Sequence, residues 1–389
     1  MTDAVILSAK RTPIGRFQGG LSDLPASDLG AAAIKAAVIA SGVAVDFVDE
    51  AIMGMVLPAG VGQAPARQAA LKAGIPSKVA ALTINKVCGS GLKAVMVASQ
   101  AIRCGDASVI VAGGMESMSR APWLVERRLA GLGNQTLIDS MVHDGLTCAM
   151  GHSSMGEIAE RLASRTGISR SDQDAFACES HRRAIATMKD HLFDSEMIPV
   201  EVRITAAPMI ADEGPRANCT LERLSTLKPA FIENGTVTAG NSAMISDGAA
   251  ALVVASAKFA KSRGLVPLAQ IVASTTAGLD PEDLFVAPVE AIRKLLAMTR
   301  HEVSEIDLWE INEAFAVQML ACQRSLAIPT ETLNIRGGAI ALGHPIGASG
   351  ARVLTTLVHS LRQQDRELGI ASLCLGGGNA VAMLIRRLS

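Results

Sequence analysis

Cys88 has the setting of a nucleophile. A strand-like run, Ala80 to Val87, ends directly before it, and Cys88-Gly89-Ser90-Gly91 then leads into a helix predicted from Leu92 to about Cys104. Backbone N–H groups and the helix dipole at such a turn favour an anion, so we expect this thiol to ionise more easily than a free one. The alternative is a buried structural cysteine, which is the commonest fate of this residue type.

His344 is a candidate for the base that acts on this thiol. It lies in a glycine-flanked loop, Gly343 to Gly347, before a second helix start that contains Ser349-Gly350. When Ser349-Gly350 is aligned with Ser90-Gly91, His344 falls three residues before the counterpart of Cys88. A histidine beside a cysteine can activate the thiol, although a lone histidine is more often structural.

Cys374 and the glycines after it form a third candidate. Cys374 ends a strand-like run that begins at Ile370, and Gly376-Gly377-Gly378 follows. Glycines at the end of a strand expose N–H groups that can hold an oxyanion. The alternative is a tight crossing of two backbone segments, and spacing does not decide between them.

Strands that alternate with helices must position these candidates. This alternation in the N-terminal third is typical of βαβ units and a parallel sheet. The last third repeats the first in three segments in the same order: 43–53 with 303–311, 90–94 with 349–353, and 106–114 with 369–377. Ordered matches of this kind indicate an α/β fold with a duplicated βαβ unit. We therefore expect equivalent turns of the two halves near a pseudo-twofold axis, beyond the strand ends where ligands bind.

The stretch between the two repeats is more polar and predicts an inserted loop domain. The chain then divides into an N-terminal half (1–115), the inserted loop domain (116–247) and a C-terminal half (248–389).

Composition excludes several classes of function. Lys and Arg total 36 against 37 Asp and Glu, and aromatic residues are 3%, so a nucleic-acid binder is not expected. Uncharged stretches such as 370–385 and 337–351 are shorter than the roughly 20 apolar residues of a membrane span. The seven cysteines contain no C-x-x-C pair and the histidines do not cluster, so no metal is expected. Scattered cysteines and a strand-like run close to Met1 favour a cytoplasmic protein.

The chain resembles the thiolase family along essentially its whole length, and it is most similar to the acetyl-CoA C-acetyltransferases, the biosynthetic type. The blocks that carry the resemblance are Arg11 to Gly15, Asn85 to Ala94, Asn312 to Phe315, Gly337 to Pro345 and Cys374 to Gly378. The resemblance implies a five-layered, duplicated α/β fold with an inserted loop domain.

The same resemblance implies a role for each catalytic residue. Cys88 is then the nucleophile that carries the acyl group, and His344 activates it. Cys374 is the general acid/base at the α-carbon of the second acetyl-CoA. Asn312 holds a water that, with His344, stabilises the enolate oxygen. The N–H groups of Cys88 and Gly376 form a second oxyanion hole.

The activity implied by the resemblance is a reversible Claisen condensation. Two acetyl-CoA molecules give acetoacetyl-CoA and CoA, or short 3-oxoacyl-CoA is cleaved by CoA. Coenzyme A thioesters are substrates, and no tightly bound cofactor is expected. The resemblance also implies fatty acid metabolism and a homo-oligomer, either a dimer or a homotetramer built as a dimer of dimers. The segment from Glu126 to Asp139 is a candidate for bridging two dimers.

The CoA-facing positions depart from the family pattern. Ser153-Ser154 stands where acetyl-CoA-specific members carry Tyr-His before Met155, and the hydroxyl expected at Ala243 is absent. The residue before Gly337 is Arg336 in place of the usual Asn. The CoA-contact residues carried over from the family are Met155, Arg216, Ser242 and Ala243.

Two other functions stay open from the sequence. A decarboxylating condensing enzyme of the ketoacyl-synthase type uses a similar duplicated fold, but characteristically has a second histidine in place of Cys374. A non-catalytic acyl-CoA-binding relative would fit the altered loop at Ser153-Ser154.

Overall fold

Strands from both repeats form one ten-stranded mixed sheet in the computed structural model, which describes residues 3–125, 134–202 and 207–388. The strands are β1 (Ala4–Arg11), β2 (Gly15–Arg16), β3 (Glu50–Gly54), β4 (Ala80–Ile84), β5 (Val109–Ser117), β6 (Trp123–Leu124), β7 (Ile138–Asp139), β8 (Ser246–Ser256), β9 (Ala269–Gly278), β10 (Leu308–Ile311), β11 (Leu368–Leu375) and β12 (Asn379–Arg387). β6 and β7 pair separately from the large sheet.

Eleven α-helices are present among the described residues. They are α1 (Ala26–Ser41), α2 (Pro65–Lys72), α3 (Ser90–Cys104), α4 (Met155–Thr166), α5 (Arg170–Lys189), α6 (Leu221–Ser225), α7 (Ala257–Ser262), α8 (Ala287–Thr299), α9 (Ala316–Leu326), α10 (Ala339–Leu342) and α11 (Ser349–Gln363). A π-helical turn spans Met141–Leu146. None of the helices in the described ranges is long and apolar enough to cross a bilayer.

The strand order confirms the predicted duplication. The first half runs β3-β5-β8-β1 and the second runs β10-β11-β12-β9. In both halves the first pair is parallel and the next two pairs are antiparallel. The halves join through β1 and β9, which share only two residue pairs. β8 pairs with strands of the first half on both sides, so the pairing favours extending the first repeat of the proposed division (1–115, 116–247, 248–389) to include it.

Three hydrophobic clusters separate the layers of the fold. One face of the N-terminal strands packs on α1 and α2, and one face of the C-terminal strands packs on α8. The remaining faces of both sets of strands enclose α3 and α11. The strands of the N-terminal half and those of the C-terminal half therefore form two layers of the one large sheet. The five layers follow in the order helix, sheet, helix, sheet, helix. Every residue of 349–361 is buried, as expected for a helix in the middle layer.

The two middle helices approach each other at their N-terminal ends through glycines. A Cβ on Gly91 would lie 2.7 Å from the backbone nitrogen of Ala351, and one on Gly350 would collide with the backbone nitrogen of Leu92. The contact is reciprocal, as a pseudo-twofold axis requires. It therefore brings the turn that carries Cys88 beside the turn that follows His344.

We predict that Gly350→Ala destabilises the protein by about 1–3 kcal/mol, because the added methyl group forces α3 and α11 apart in a close-packed core. Urea unfolding followed by circular dichroism measures the change. Gly278→Ala is the matched control, since a Cβ there meets nothing within 4 Å. Equal unfolding midpoints for the two variants would contradict the proposed role of the helix crossing.

Candidate active site

The turn before Cys88 is strained and held by two side chains. Val87 has a φ of 47°, which is unusual for a β-branched residue. The Ser90 hydroxyl accepts from Lys86 N at 2.8 Å and donates to Val87 O at 2.6 Å. Asn85 Oδ1 accepts from Val87 N at 2.9 Å. Strain fixed in this way often marks a functional residue, here Cys88.

The packing around Cys88 raises the pKa of its thiol, whereas the sequence predicted a lowered one. Although the residue keeps partial exposure, burial of the thiol raises its pKa to about 12. The N–H groups of Cys88 and Gly376 act in the opposite direction by hydrogen bonding to the sulfur, and the Glu116 carboxyl raises the pKa further. The expectation of an acidic thiol was therefore wrong for this state of the protein, because desolvation outweighs the helix N-terminus.

His344 is held as a neutral imidazole with a defined tautomer. Ser349 Oγ donates its proton to Pro345 O at 2.9 Å, so at 2.6 Å it must accept from Nδ1–H of His344. That assignment leaves Nε2 unprotonated and able to act as a base. Burial lowers the pKa of His344 to about 3, with a smaller contribution from the positive charge of Arg352.

Cys374 is a second buried thiol close to the first. It is 2% exposed, near the end of β11, and it packs with Phe315 and Met155. Burial raises its pKa well above the usual value, and the neighbouring thiols of Cys88 and Cys322 add to the effect. Once deprotonated, such a thiol is a strong base.

Asn312 presents a buried amide with free hydrogen-bonding capacity. The residue is fully buried after β10, and its backbone nitrogen donates to Ser372 O at 3.0 Å. Neither Oδ1 nor Nδ2 has a hydrogen-bond partner within the described chain. Buried amides normally find a partner, so this one is suited to a water molecule or a substrate group.

Two charged residues at the site were missed by the sequence reasoning. The buried carboxylate of Glu116, in β5, accepts from Val56 N at 2.9 Å and from Gly347 N at 2.8 Å, which ties the loop after β3 to the loop of His344. Burial raises its pKa to about 7. Arg352 is 2% exposed, and its nearest paired carboxylate oxygen is Oε2 of Glu310 at 3.9 Å. A carboxylate at the end of an apolar strand was the available signal for Glu116.

A cavity of about 620 Å³ lies next to the site, although neither Cys88 nor Cys374 is among its lining residues. Four of its lining residues are the predicted CoA contacts, Met155, Arg216, Ser242 and Ala243. Leu146 and Ile245 in its wall pack in the same cluster as Cys88, and Phe315 packs with Cys374. The two thiols therefore pack against residues of the cavity wall.

The altered loop has a structural explanation. Ser154 caps α4, where its hydroxyl accepts from Glu157 N at 3.2 Å and the Glu157 side chain accepts from Ser154 N at 2.7 Å. This capping box places Met155 at the first turn of the helix, in the cavity wall. The Ser242 hydroxyl donates to Thr238 O at 2.7 Å, so its proton is already used within the protein.

Comparison with known proteins identifies the family. Residues 4–258 match the thiolase N-terminal domain and residues 265–387 match the thiolase C-terminal domain. The chain belongs to the thiolase family. It is accordingly an acyltransferase, as the sequence predicted. Because the chain belongs to the thiolases, the alternative of a decarboxylating condensing enzyme is no longer needed.

Similar thiolases cover the whole chain. An acetyl-CoA acetyltransferase of Pseudomonas aeruginosa is 49% identical over 392 residues, and a probable acetyl-CoA acyltransferase of Staphylococcus aureus is 48% identical, with all of each chain aligned. Among solved structures, the acetyl-CoA acetyltransferase of Bacillus anthracis has a TM-score of 0.97 at 40% identity, covering 100% of this chain and 99% of its own. A thiolase of Ascaris suum in complex with coenzyme A has a TM-score of 0.95 at 41% identity, covering 99% of this chain and 100% of its own.

We predict that in the free thiolase the alkylation rate of Cys88 by iodoacetamide keeps rising, about tenfold per pH unit, from pH 7 to pH 10. The raised pKa leaves the thiol protonated throughout this range, and only the thiolate reacts. A model cysteine peptide levels off near its pKa of about 8.5. Peptide mass spectrometry at Cys88 gives the rates, and a plateau below pH 8 would contradict the neutral thiol.

Proposed function

We propose that this thiolase condenses two acetyl-CoA molecules to acetoacetyl-CoA and CoA, and cleaves short 3-oxoacyl-CoA in reverse. The observation that carries the proposal is the grouping of two thiols, Cys88 and Cys374, with a neutral His344 and an unpaired Asn312 amide. A thiol nucleophile and a second acid/base are what a non-decarboxylating Claisen reaction requires.

The first half-reaction transfers an acyl group to Cys88. As Sγ attacks the thioester carbon, His344 Nε2 takes the thiol proton. The Cys374 thiol protonates the departing CoA sulfur and is left as a thiolate. Because the free thiol is protonated and the imidazole is neutral, proton transfer accompanies attack rather than preceding it. The N–H groups of Cys88 and Gly376, which hydrogen-bond the sulfur in the free enzyme, stabilise the carbonyl oxygen as it becomes negative.

The second half-reaction forms the carbon–carbon bond. The Cys374 thiolate formed in the first half-reaction removes a proton from the α-carbon of the second acetyl-CoA. The raised pKa of this thiol makes its thiolate a better match for a weak carbon acid. Asn312, through a water molecule, and His344 stabilise the enolate oxygen. The carbanion then attacks the acyl carbon, and the Cys88 thiolate leaves and recovers its proton from His344 Nε2.

The cavity supports a proposal for how CoA thioesters bind. Met155, Ser242 and Ala243 contribute to a wall that is mainly apolar and suits a pantetheine chain. Arg216 and Arg223 line the same cavity and supply positive charge for phosphate groups. The solved thiolase of Ascaris suum in complex with coenzyme A supports this choice of ligand. CoA acts here as a substrate, and no tightly bound cofactor is part of the proposal.

We also propose that the protein is a homo-oligomer, either a dimer or a dimer of dimers. We propose that it acts in the cytoplasm, in fatty acid metabolism. β4 is the edge of the sheet within the described residues, and Leu82 on it is 40% exposed. An exposed apolar edge strand is a natural surface for pairing with a second copy. The bridging segment Glu126 to Asp139 lies partly outside the described residues, since 126–133 are not described.

Substitution of the two thiols should separate the half-reactions. Cys88→Ala should show no acetyl adduct with acetyl-CoA by intact-protein mass spectrometry. Cys374→Ser should keep the adduct but lose condensation by about 10²–10⁴-fold, because a positioned acid/base is replaced by a far weaker one. Parallel assays of adduct formation and acetoacetyl-CoA cleavage test this. An adduct of equal yield in Cys88→Ala, or equal losses of both steps in Cys374→Ser, would refute the assigned roles.

The acyl-chain preference should follow Met155. We expect kcat/KM to fall from acetoacetyl-CoA to 3-oxopentanoyl-CoA and again to 3-oxohexanoyl-CoA, because an added methylene costs about 1–3 kcal/mol in a packed pocket. A loosened pocket would instead gain about 0.8 kcal/mol per methylene. Met155→Ala should flatten the order, and Met298→Ala, at an exposed methionine, should not. A kcat/KM that stays level or rises through 3-oxohexanoyl-CoA in the unaltered enzyme would overturn the short-chain preference.

A further inference from the structure

Two cysteines outside the catalytic group lie in contact with each other. Sγ of Cys178, on α5, is 3.7 Å from Sγ of Cys219, and the two residues are separated by 41 positions in the sequence. Both are free thiols with intermediate exposure. Neither takes part in the mechanism above, so their juxtaposition calls for a separate explanation.

The backbone around the pair is held in place from both sides. Arg216 to Cys219 form a turn, with Cys219 N donating to Arg216 O at 3.2 Å. Arg216 N donates to Nδ1 of His181 at 3.1 Å. Because His181 follows Cys178 by three residues, both lie on one face of α5. The turn is thus fastened to the helix at one end by a hydrogen bond and at the other by contact between the two sulfurs.

The two thiols differ in access. Cys219 lines the 620 Å³ cavity, whereas Cys178 is not among the residues that line it. Burial raises the pKa of Cys178 to about 12, and hydrogen bonding to Cys219 and the nearby carboxylates of Asp174 and Glu222 act in the same direction. Cys219 is therefore the thiol that a small reagent reaches first, with Cys178 placed to resolve the product. An accessible thiol beside a resolving cysteine is the usual arrangement of an oxidisable pair.

We propose that Cys178 and Cys219 form an intramolecular disulfide when the enzyme meets a small-molecule disulfide. The Cys219 thiolate attacks the reagent, releases one equivalent of thiol and becomes a mixed disulfide. Cys178 then loses its proton and attacks Cys219 Sγ, which releases the second equivalent of thiol. The two protein thiols are oxidised and one molecule of reagent is reduced. The sulfurs must approach by about 1.7 Å to reach a bond of about 2.05 Å.

The cross-link acts on the wall of the cavity. Since Cys178 is not part of the lining, closing the bond draws Cys219 away from the cavity and moves the turn that carries Arg216 with it. The covalent link also closes a long loop, which restricts the unfolded chain and stabilises the folded one. Oxidation is therefore expected to raise the unfolding temperature and to raise the KM for CoA. The expectation for KM rests on the proposed function, whereas cross-link formation does not.

The cross-link can be tested on the full chain with oxidised glutathione. A Cys88→Ala background prevents cross-linking between the catalytic thiols. After alkylation of the remaining thiols, peptide mapping without reduction should detect the Cys178 peptide and the Cys219 peptide linked by a disulfide. Adding Cys178→Ser should stop the reaction at a glutathione adduct on Cys219, and adding Cys219→Ser should abolish both products. Cys104→Ser, at an exposed cysteine, is the matched control and should still cross-link.

The outcomes distinguish this proposal from the proposed function. No cross-link between Cys178 and Cys219, while Cys104 acquires glutathione, would overturn the disulfide. For the KM, the unsubstituted enzyme is treated with oxidised glutathione, and acetoacetyl-CoA cleavage is measured before and after. Cys219→Ser treated in the same way reports any change caused by oxidation of Cys88. A higher KM for CoA that dithiothreitol restores, and that Cys219→Ser lacks, supports the effect on the cavity. An unchanged KM in fully cross-linked enzyme would overturn that effect, and an enzyme inactive even when reduced would point to failure of the proposed function instead.

Discussion

The crossing of α3 and α11 at Gly91 and Gly350 is the contact on which the site depends. Each helix follows a loop that carries a reactive side chain, Cys88 in one repeat and His344 in the other. A Cβ at either glycine would collide with the backbone of the other helix, so the helix starts would have to move apart. In the proposed mechanism Cys88 and His344 exchange a proton, which requires hydrogen-bond distance, so the mechanism could not tolerate such a displacement. The buried middle layer is thus both a structural core and the means of aligning the reacting groups.

Burial sets the chemistry of the site as firmly as geometry does. Enclosing Cys88, His344 and Cys374 disfavours every charged form, which keeps the resting site neutral. Charge then develops only as a substrate reacts, next to N–H groups and an amide that are already in position. The buried Glu116 carboxylate supports this site by accepting hydrogen bonds from backbone N–H groups of two loops, which it holds together.

Sequence reasoning reached the duplicated fold because the two repeats leave local patterns. The glycine-rich turns at Cys88 and after Cys374 follow apolar strands, and their repetition in both halves predicted the pseudo-twofold arrangement. The ionisation of Cys88 could not be read in this way, because desolvation depends on residues distant in sequence, such as Ile346 and Val56. The capping role of Ser154 was missed because the residue was considered only as a departure from the family pattern. Its spacing to Glu157, which is typical of a capping box, was not considered. Contacts such as that of Cys178 with Cys219 arise from tertiary packing and have no local signal.

The weak joint between the repeats also bears on how the enzyme came to be asymmetric. β1 and β9 share only two residue pairs, so the halves are held together mainly by the helices between them. Each half keeps the same strand order, yet the proposed nucleophile, Cys88, belongs to one half and the proposed base, His344, to the other. A duplicated ancestor with two equivalent turns could have specialised in this way, with each copy free to lose what the other retained. On this view the backbone preserves the ancestral symmetry, while the side chains of the two turns at the axis have diverged to different roles.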